Sequence, residues 1–220
     1  MMESPDTFYL NRLQGKTPRE ILSVIRSLKR KITRLKNIVE NPNYNSREWA
    51  VEPCERTQIY CCQTYLLRAY EALEEAGGSY TPTAAEKRAN NFNNQVPYIT
   101  KIVFTRGGLF SGYKTFTHTF SENAVTTTQT YSLNPNVAAE KATNKEEFLD
   151  LFDSLNIGEW RRSYTTERFG FTVLDGAEWK LEIHYQKGIK PKKYCGINAY
   201  PFNFPRAEEL FTLTFGQNSL

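Results

Sequence analysis

In the first third of the chain, apolar residues recur at alternating four- and three-residue steps: Ile21, Ile25, Leu28, Ile32, Leu35 and Val39. This is the heptad seam of an α-helix, and it requires a second helix to cover it. Thr17-Pro18-Arg19-Glu20 opens the segment, with Thr as N-cap, Pro at the first helical position and Glu placed to complete a capping box. The helix is predicted to reach Glu40 and stop at Asn41-Pro42-Asn43. A second seam, Ile59, Cys62, Leu66, Ala69 and Leu73, follows Pro53 and closes at Gly77-Gly78. Two seams of matching length across a short connection predict an antiparallel hairpin, with pairing of the seams between two copies as the alternative. Thr83 and Glu86 form a second capping box for a short third helix expected to end by Asn90-Asn91.

Past Val96-Pro97 the period changes from helical to alternating. Residues 98–105 are rich in β-branched and aromatic side chains, and 106–112 read as their turn. The next run alternates Phe116, His118 and Phe120 against Thr115, Thr117 and Thr119. A third run, 125–133, is expected to stop at Asn134-Pro135-Asn136. Asn144 and Glu147 open a helix whose Phe148, Leu151, Phe152 and Leu155 face one way until Ile157-Gly158 breaks it; residues 159–164 are expected to add a helical turn. Asp175-Gly176 then reads as a hairpin turn between two apolar runs. Trp179, Leu181, Ile183 and Tyr185 alternate with Lys180, Glu182, His184 and Gln186, and Gly188 turns the chain into a last strand at 189–194. A closing helix is predicted over 205–215.

These elements define an α+β protein: an N-terminal antiparallel helical hairpin, then a meandering antiparallel sheet of about five to six strands with helices on one face. The boundary falls between a helical region, residues 1–95, and a sheet domain, residues 96–220.

Composition agrees with a globular chain: hydrophobic residues make up 40% and charged residues 24%. Residues 1–10 have neither a basic nor an apolar leader region, and no run is long and uncharged enough to cross a bilayer. The expectation is a cytoplasmic protein with no membrane partner. Cys54, Cys61, Cys62 and Cys195 lack metal-ligand spacing, so they read as reduced thiols with no metal or cofactor to hold. At most one of the adjacent Cys61 and Cys62 should reach the core. The net charge of +4 is mild, but it is unevenly placed. Arg26, Lys29, Arg30, Lys31 and Arg34 give the first helix a dense cationic set, suited either to a solvated collar or to phosphates and acidic partners.

Candidate catalytic chemistry is sparse. His118 and His184 both read as lying on polar strand faces, Glu182 shares a face with His184, and Cys195 is an exposed thiol at a strand end. The turn Arg106-Gly107-Gly108 lacks the following helix that a phosphate-binding loop needs. Lys192 and Lys193 lie beside Pro191, which marks an edge strand protected by charge or a partner surface. The aromatic loop 198–205 is expected to pin itself to the sheet. Asp175-Gly176, Trp179, a basic turn and the run from Gly196 to Phe204 together resemble the end of small bacterial α+β domains, a resemblance that implies no activity or ligand.

The leading expectation is a non-enzymatic binding or regulatory protein acting through protein or nucleoprotein contacts, as a monomer or a homodimer through the helical seam. A phage or mobile-element inhibitor of a nucleic-acid-handling complex is one form of it. The alternatives are direct nucleic-acid binding through the basic first helix, and an enzyme using His118 and His184.

Overall fold

The computed structural model describes residues 3–44, 53–173 and 175–212. The chain divides into two compact units, Met1–Pro82 and Thr83–Leu220.

The first unit contains α1 (Pro5–Arg12), α2 (Pro18–Val39) and α3 (Glu55–Glu75). The capping box is formed: Thr17 N–H donates to Glu20 Oε2 at 2.9 Å, and Thr17 Oγ1 accepts from Glu20 N–H at 3.4 Å. All the α2 seam residues are buried, and α2 packs along α3 within the chain. On α3, Ile59, Cys62, Ala69 and Leu73 are buried as their spacing predicts, with Cys61 only half-buried. Tyr65 rather than Leu66 completes the buried set, because α1 lies on that side. The Phe8 ring stacks on Tyr65 with centroids 4.4 Å apart, and the Tyr65 hydroxyl donates to the Glu3 carbonyl.

Helix α1 is too short to show a seam, and Ser4-Pro5-Asp6 is its sequence signal: Ser4 Oγ accepts from Thr7 N–H at 3.1 Å. Gly77 adopts φ +75°, which lets Gly78 N–H reach the Leu73 carbonyl at 2.8 Å and Gly77 N–H the Glu74 carbonyl at 2.9 Å. These paired bonds satisfy carbonyls left open at the end of α3. The expected connection through residues 46–51 lies outside the described residues.

The second unit is built on a seven-stranded sheet of order β4-β3-β2-β1-β6-β7-β5. Its strands are β1 (Ile99–Gly108), β2 (Gly112–Phe120), β3 (Ala124–Tyr131), β4 (Asn134–Asn144), β5 (Ser163–Thr165), β6 (Glu178–Tyr185) and β7 (Lys192–Ile197). Neighbours are antiparallel except for the parallel pair β5–β7. Helices α4 (Ala84–Asn93), α5 (Lys145–Ser154) and α6 (Phe204–Thr212) supply core residues to one face. Because α4 belongs to this unit, the division falls before that helix rather than after it. Phe92 on α4 packs against Phe152 and Tyr194, with centroids 6.3 and 6.4 Å away.

Four segments differ from expectation, the last strand only in its place, since it is expected at 189–194 and runs over Lys192–Ile197. Asn134-Pro135 begins a strand instead of stopping one: Tyr131 pairs with Asn134 across a tight hairpin, and β4 lies at the sheet edge, where a residue without an amide hydrogen is tolerated. Ser163–Thr165 is a strand, not a helical turn, because its register against Cys195, Gly196 and Ile197 extends the sheet. Residues 171–173 form no strand, and Asp175-Gly176 is not a hairpin turn. Both sides of β6 are occupied, by β1 and β7, so a strand leading directly into it has no place. The Asp175-Gly176 segment is instead clamped by Asn198, whose Oδ1 accepts from Ala177 N–H at 2.9 Å and whose Nδ2 donates to the Asp175 carbonyl at 3.2 Å.

The core centres on Trp179, surrounded by Trp160, Tyr164 and Phe204. The loop after β7 is pinned as expected: Trp179 Nε1 donates to the Ala199 carbonyl at 2.9 Å and Trp160 Nε1 to Asn203 Oδ1 at 3.0 Å. On α5, Phe148 and Phe152 are buried, but Leu151 is 52% exposed. Of the closing helix, Leu210 and Phe211 are buried, and its predicted final turn lies outside the described residues. No helix among the described residues is long and apolar enough to cross a membrane.

Candidate functional site

The cationic side of α2 forms one wall of a groove of about 670 Å³, lined by Lys29, Arg30, Thr33, Arg34, Asn37, Ile38, Asn41, Asn43 and Tyr44. No carboxylate lines it among the described residues. Arg30, Arg34 and Asn37 step by four and three, so they share one side of the helix, and Asn41 follows just beyond its end. Arg26 continues this stripe one turn earlier, beyond the groove lining. Like charges four residues apart disfavour a helix by a few tenths of a kcal/mol per pair, so packing gives no reason for the row Arg26, Arg30 and Arg34.

The groove has a fixed end and a fixed edge. Tyr44 is buried, and its hydroxyl donates to the Glu55 carboxylate at 3.2 Å. Burial, and then the Glu55 charge, push the Tyr44 phenol up to about 12, so it stays neutral. The Lys29 ammonium lies 4.7 Å from the centre of the Tyr80 ring and donates to its hydroxyl. Lys31 has a different place: its charge acts on the Cys62 thiol of α3, opposing the upward push that burial gives that group. The structure therefore brings Lys29, Arg30 and Arg34 together, sets Arg26 on their stripe and separates Lys31 from them. Thr33, Asn37, Asn41 and Asn43 were absent from the sequence candidates, although the four-three spacing of Arg30, Arg34 and Asn37 was legible.

The remaining candidates do not converge. Opposed residues on paired strands share a face. His118 lies opposite Ile102, which lies opposite Ile183, and these are core positions. His184 lies opposite Lys101, on the other face. The sheet itself separates the two histidines, and His118 is wholly buried instead of lying on a polar strand face. Its Nδ1 is 2.8 Å from Thr127 Oγ1. Its Nε2 has no hydrogen-bond partner among the described residues; the Phe211 backbone is near enough to favour the charged form slightly but is out of bonding geometry.

His184 Nε2 lies 3.5 Å from Glu182 Oε2, and Lys193 Nζ lies 3.0 Å from Glu182 Oε1. Cys195 is exposed, with Sγ 3.8 Å from the Arg162 carbonyl. β7 is only partly an edge strand: β5 covers Cys195, Gly196 and Ile197, whereas Lys192, Lys193 and Tyr194 have no strand on that side among the described residues. Because the Lys193 pair is solvent-exposed, Lys193→Ala should change stability by less than about 1 kcal/mol in a urea titration. A larger loss would show that Lys193 has a structural role.

Among the described residues, no group of His, Cys, Asp and Glu side chains is placed to hold a metal ion. No protein-family model, curated protein or solved structure matches the chain.

Proposed function

We propose that this is a non-enzymatic binding protein, a regulator that engages nucleic acid or a nucleoprotein complex through phosphates held in the α2 groove. The observation that carries this reading is the convergence of Lys29, Arg30 and Arg34 with hydroxyl and amide groups on a groove lined by no carboxylate among the described residues. Arginine presents a planar fork of donors that matches phosphate oxygens, and Thr and Asn side chains add neutral hydrogen bonds. Contacts to phosphates carry no sequence information directly, so a groove that holds phosphates predicts weak sequence preference. It also sets the protein in the cytoplasm with its thiols reduced.

The test is fluorescence anisotropy with labelled duplex and single-stranded oligonucleotides over a series of salt concentrations. Wild-type affinity should fall steeply with salt, because cationic contacts release counterions from the phosphates. Arg30→Glu together with Arg34→Glu should weaken binding by at least about tenfold and lower the salt slope by about two, one for each lost contact. Wild-type protein that fails to bind, or binding indifferent to salt and to this substitution, overturns the reading.

A further inference from the structure

The side of α2 opposite its apolar seam carries a row of arginines that extends well past the groove. At about 3.6 residues per turn, Arg19, Ser23, Arg26, Arg34 and Asn37 all lie within about 40° of Arg30. All six side chains are exposed. Among the described residues, Arg19, Arg26, Arg30 and Arg34 have no hydrogen-bond or ion-pair partner, whereas Arg68 is held by Glu71 and Glu75, and Arg106 by Glu208. The single acid of the helix, Glu20, is turned back on its start, where Oε2 accepts from Thr17 N–H at 2.9 Å and from Thr17 Oγ1 at 2.7 Å. The row is therefore an uncompensated line of positive charge, and it calls for an anionic partner.

The other residues of this face narrow the class of that partner. A protein interface is built around an apolar or aromatic centre, and here only Arg, Ser and Asn lie within about 40° of Arg30. A helix lying on a bilayer needs its apolar side free, and the seam of α2 is buried along α3. A single strand of nucleic acid is held by aromatic rings on which its bases stack. Tyr44 is the one aromatic residue lining the groove among the described residues, and at 3% exposure it offers no face to a base. A duplex stacks its own bases and presents a regular line of phosphates. From Arg19 to Arg34 the row spans about 22 Å at a rise of about 1.5 Å per residue. That length matches about seven phosphates at about 3.4 Å of duplex axis each.

We infer that the ligand of α2 is a double-stranded nucleic acid, gripped along its phosphate backbone by a line of arginines running from the groove through Arg26 to Arg19. This rests on the reading of the groove as a phosphate site and adds to it the ligand class and two residues outside the groove.

Fluorescence anisotropy of the full chain tests it, with a DNA duplex of about 16 base pairs, roughly twice the row, the RNA duplex of the same sequence and each single strand. At least one duplex should bind about tenfold or more tightly than its single strands, and the two duplexes show whether the backbone held is DNA or RNA. Arg19→Ala together with Arg26→Ala should weaken duplex binding by at least about fivefold and lower the salt slope by about two. Lys87→Ala together with Arg88→Ala removes the same charge from exposed positions on α4 and should leave binding unchanged. Equal thermal unfolding temperatures for the two variants exclude a loss of fold as the cause. Single strands bound as tightly as the duplexes, or an Arg19 and Arg26 variant that binds like the wild type, overturns this inference while leaving the groove reading in place. Polyglutamate that displaces a duplex as well as unlabelled duplex does assigns the row to an acidic protein and overturns it too. Failure of every nucleic acid to bind overturns both.

Discussion

Trp179→Ala is expected to destabilise the sheet unit by about 3–5 kcal/mol, the range for removing a large aromatic from a packed core. Trp179 is 1% exposed. The ring centroids of Trp160, Tyr164 and Phe204 lie 5.9, 5.8 and 5.0 Å from its own, on three different segments of the chain. Truncation would leave a cavity that these neighbours cannot all fill, and it would strip the Ala199 carbonyl of the indole donor 2.9 Å away. The backbone on the partner strand is already as close as it can be, because a Cβ at Gly196 would run into the indole and the Ala199 carbonyl. A urea titration followed by near-ultraviolet circular dichroism measures the loss. A change below about 1 kcal/mol would falsify the assignment of Trp179 as the centre of this core.

The protein is also expected to lose about 3 kcal/mol of stability between pH 6.5 and pH 4 through His118 alone. Burial brings the imidazole down from 6.5 to about 4, with the nearby Phe211 backbone opposing the shift only in part. The rings of Phe148 and Phe211 lie 5.1 and 5.7 Å away, and Thr127 supplies its polar contact. Between the two pKa values the unfolded chain binds a proton that the native state does not. The contribution is therefore fully present above the unfolded value of 6.5 and is lost progressively as pH falls toward 4. Replacing His118 by Leu and Thr127 by Val removes the titrating group without leaving the threonine hydroxyl unpaired. In a series of urea titrations across this range, the double variant should show a slope lower by about one proton. An unchanged slope would assign the acid sensitivity to other groups.

The elements that emerged as expected are those whose cause is local. The seam from Ile21 to Val39, the boxes at Thr17 and Thr83 and the helix end at Gly77-Gly78 depend on residues within a turn or two of each other. The alternation from Trp179 to Tyr185 likewise describes one strand with one buried face. The differences arose where the neighbours of a segment decide its state. Ser163–Thr165 becomes a strand because β7 offers it an edge, and residues 171–173 do not because β6 has no free side. The same cause misplaced His118. Sharing a register with Phe116 and Phe120 put it on the apolar side of β2, and only the helices covering that side made the position a buried one.

The candidate site divides in the same way. Residue type and period alone determined that α2 spreads its cations over the polar side opposite an apolar seam, since both follow from helix geometry acting on a single segment. Only the tertiary structure decided which cations line one groove. Lys31 is exposed and lies outside the groove lining, its charge reaching the Cys62 thiol of α3, whereas Lys29, Arg30 and Arg34 border a groove that Tyr44 completes from beyond the helix. The same holds for the exposed apolar side chains at one end of the sheet. Leu109, Phe110 and Leu133 come from separate turns, and the pairing of β2 with β3 brings those turns together. Helical period is written in neighbouring residues, but strand pairing joins residues distant in the chain, so its consequences appear only in the folded molecule.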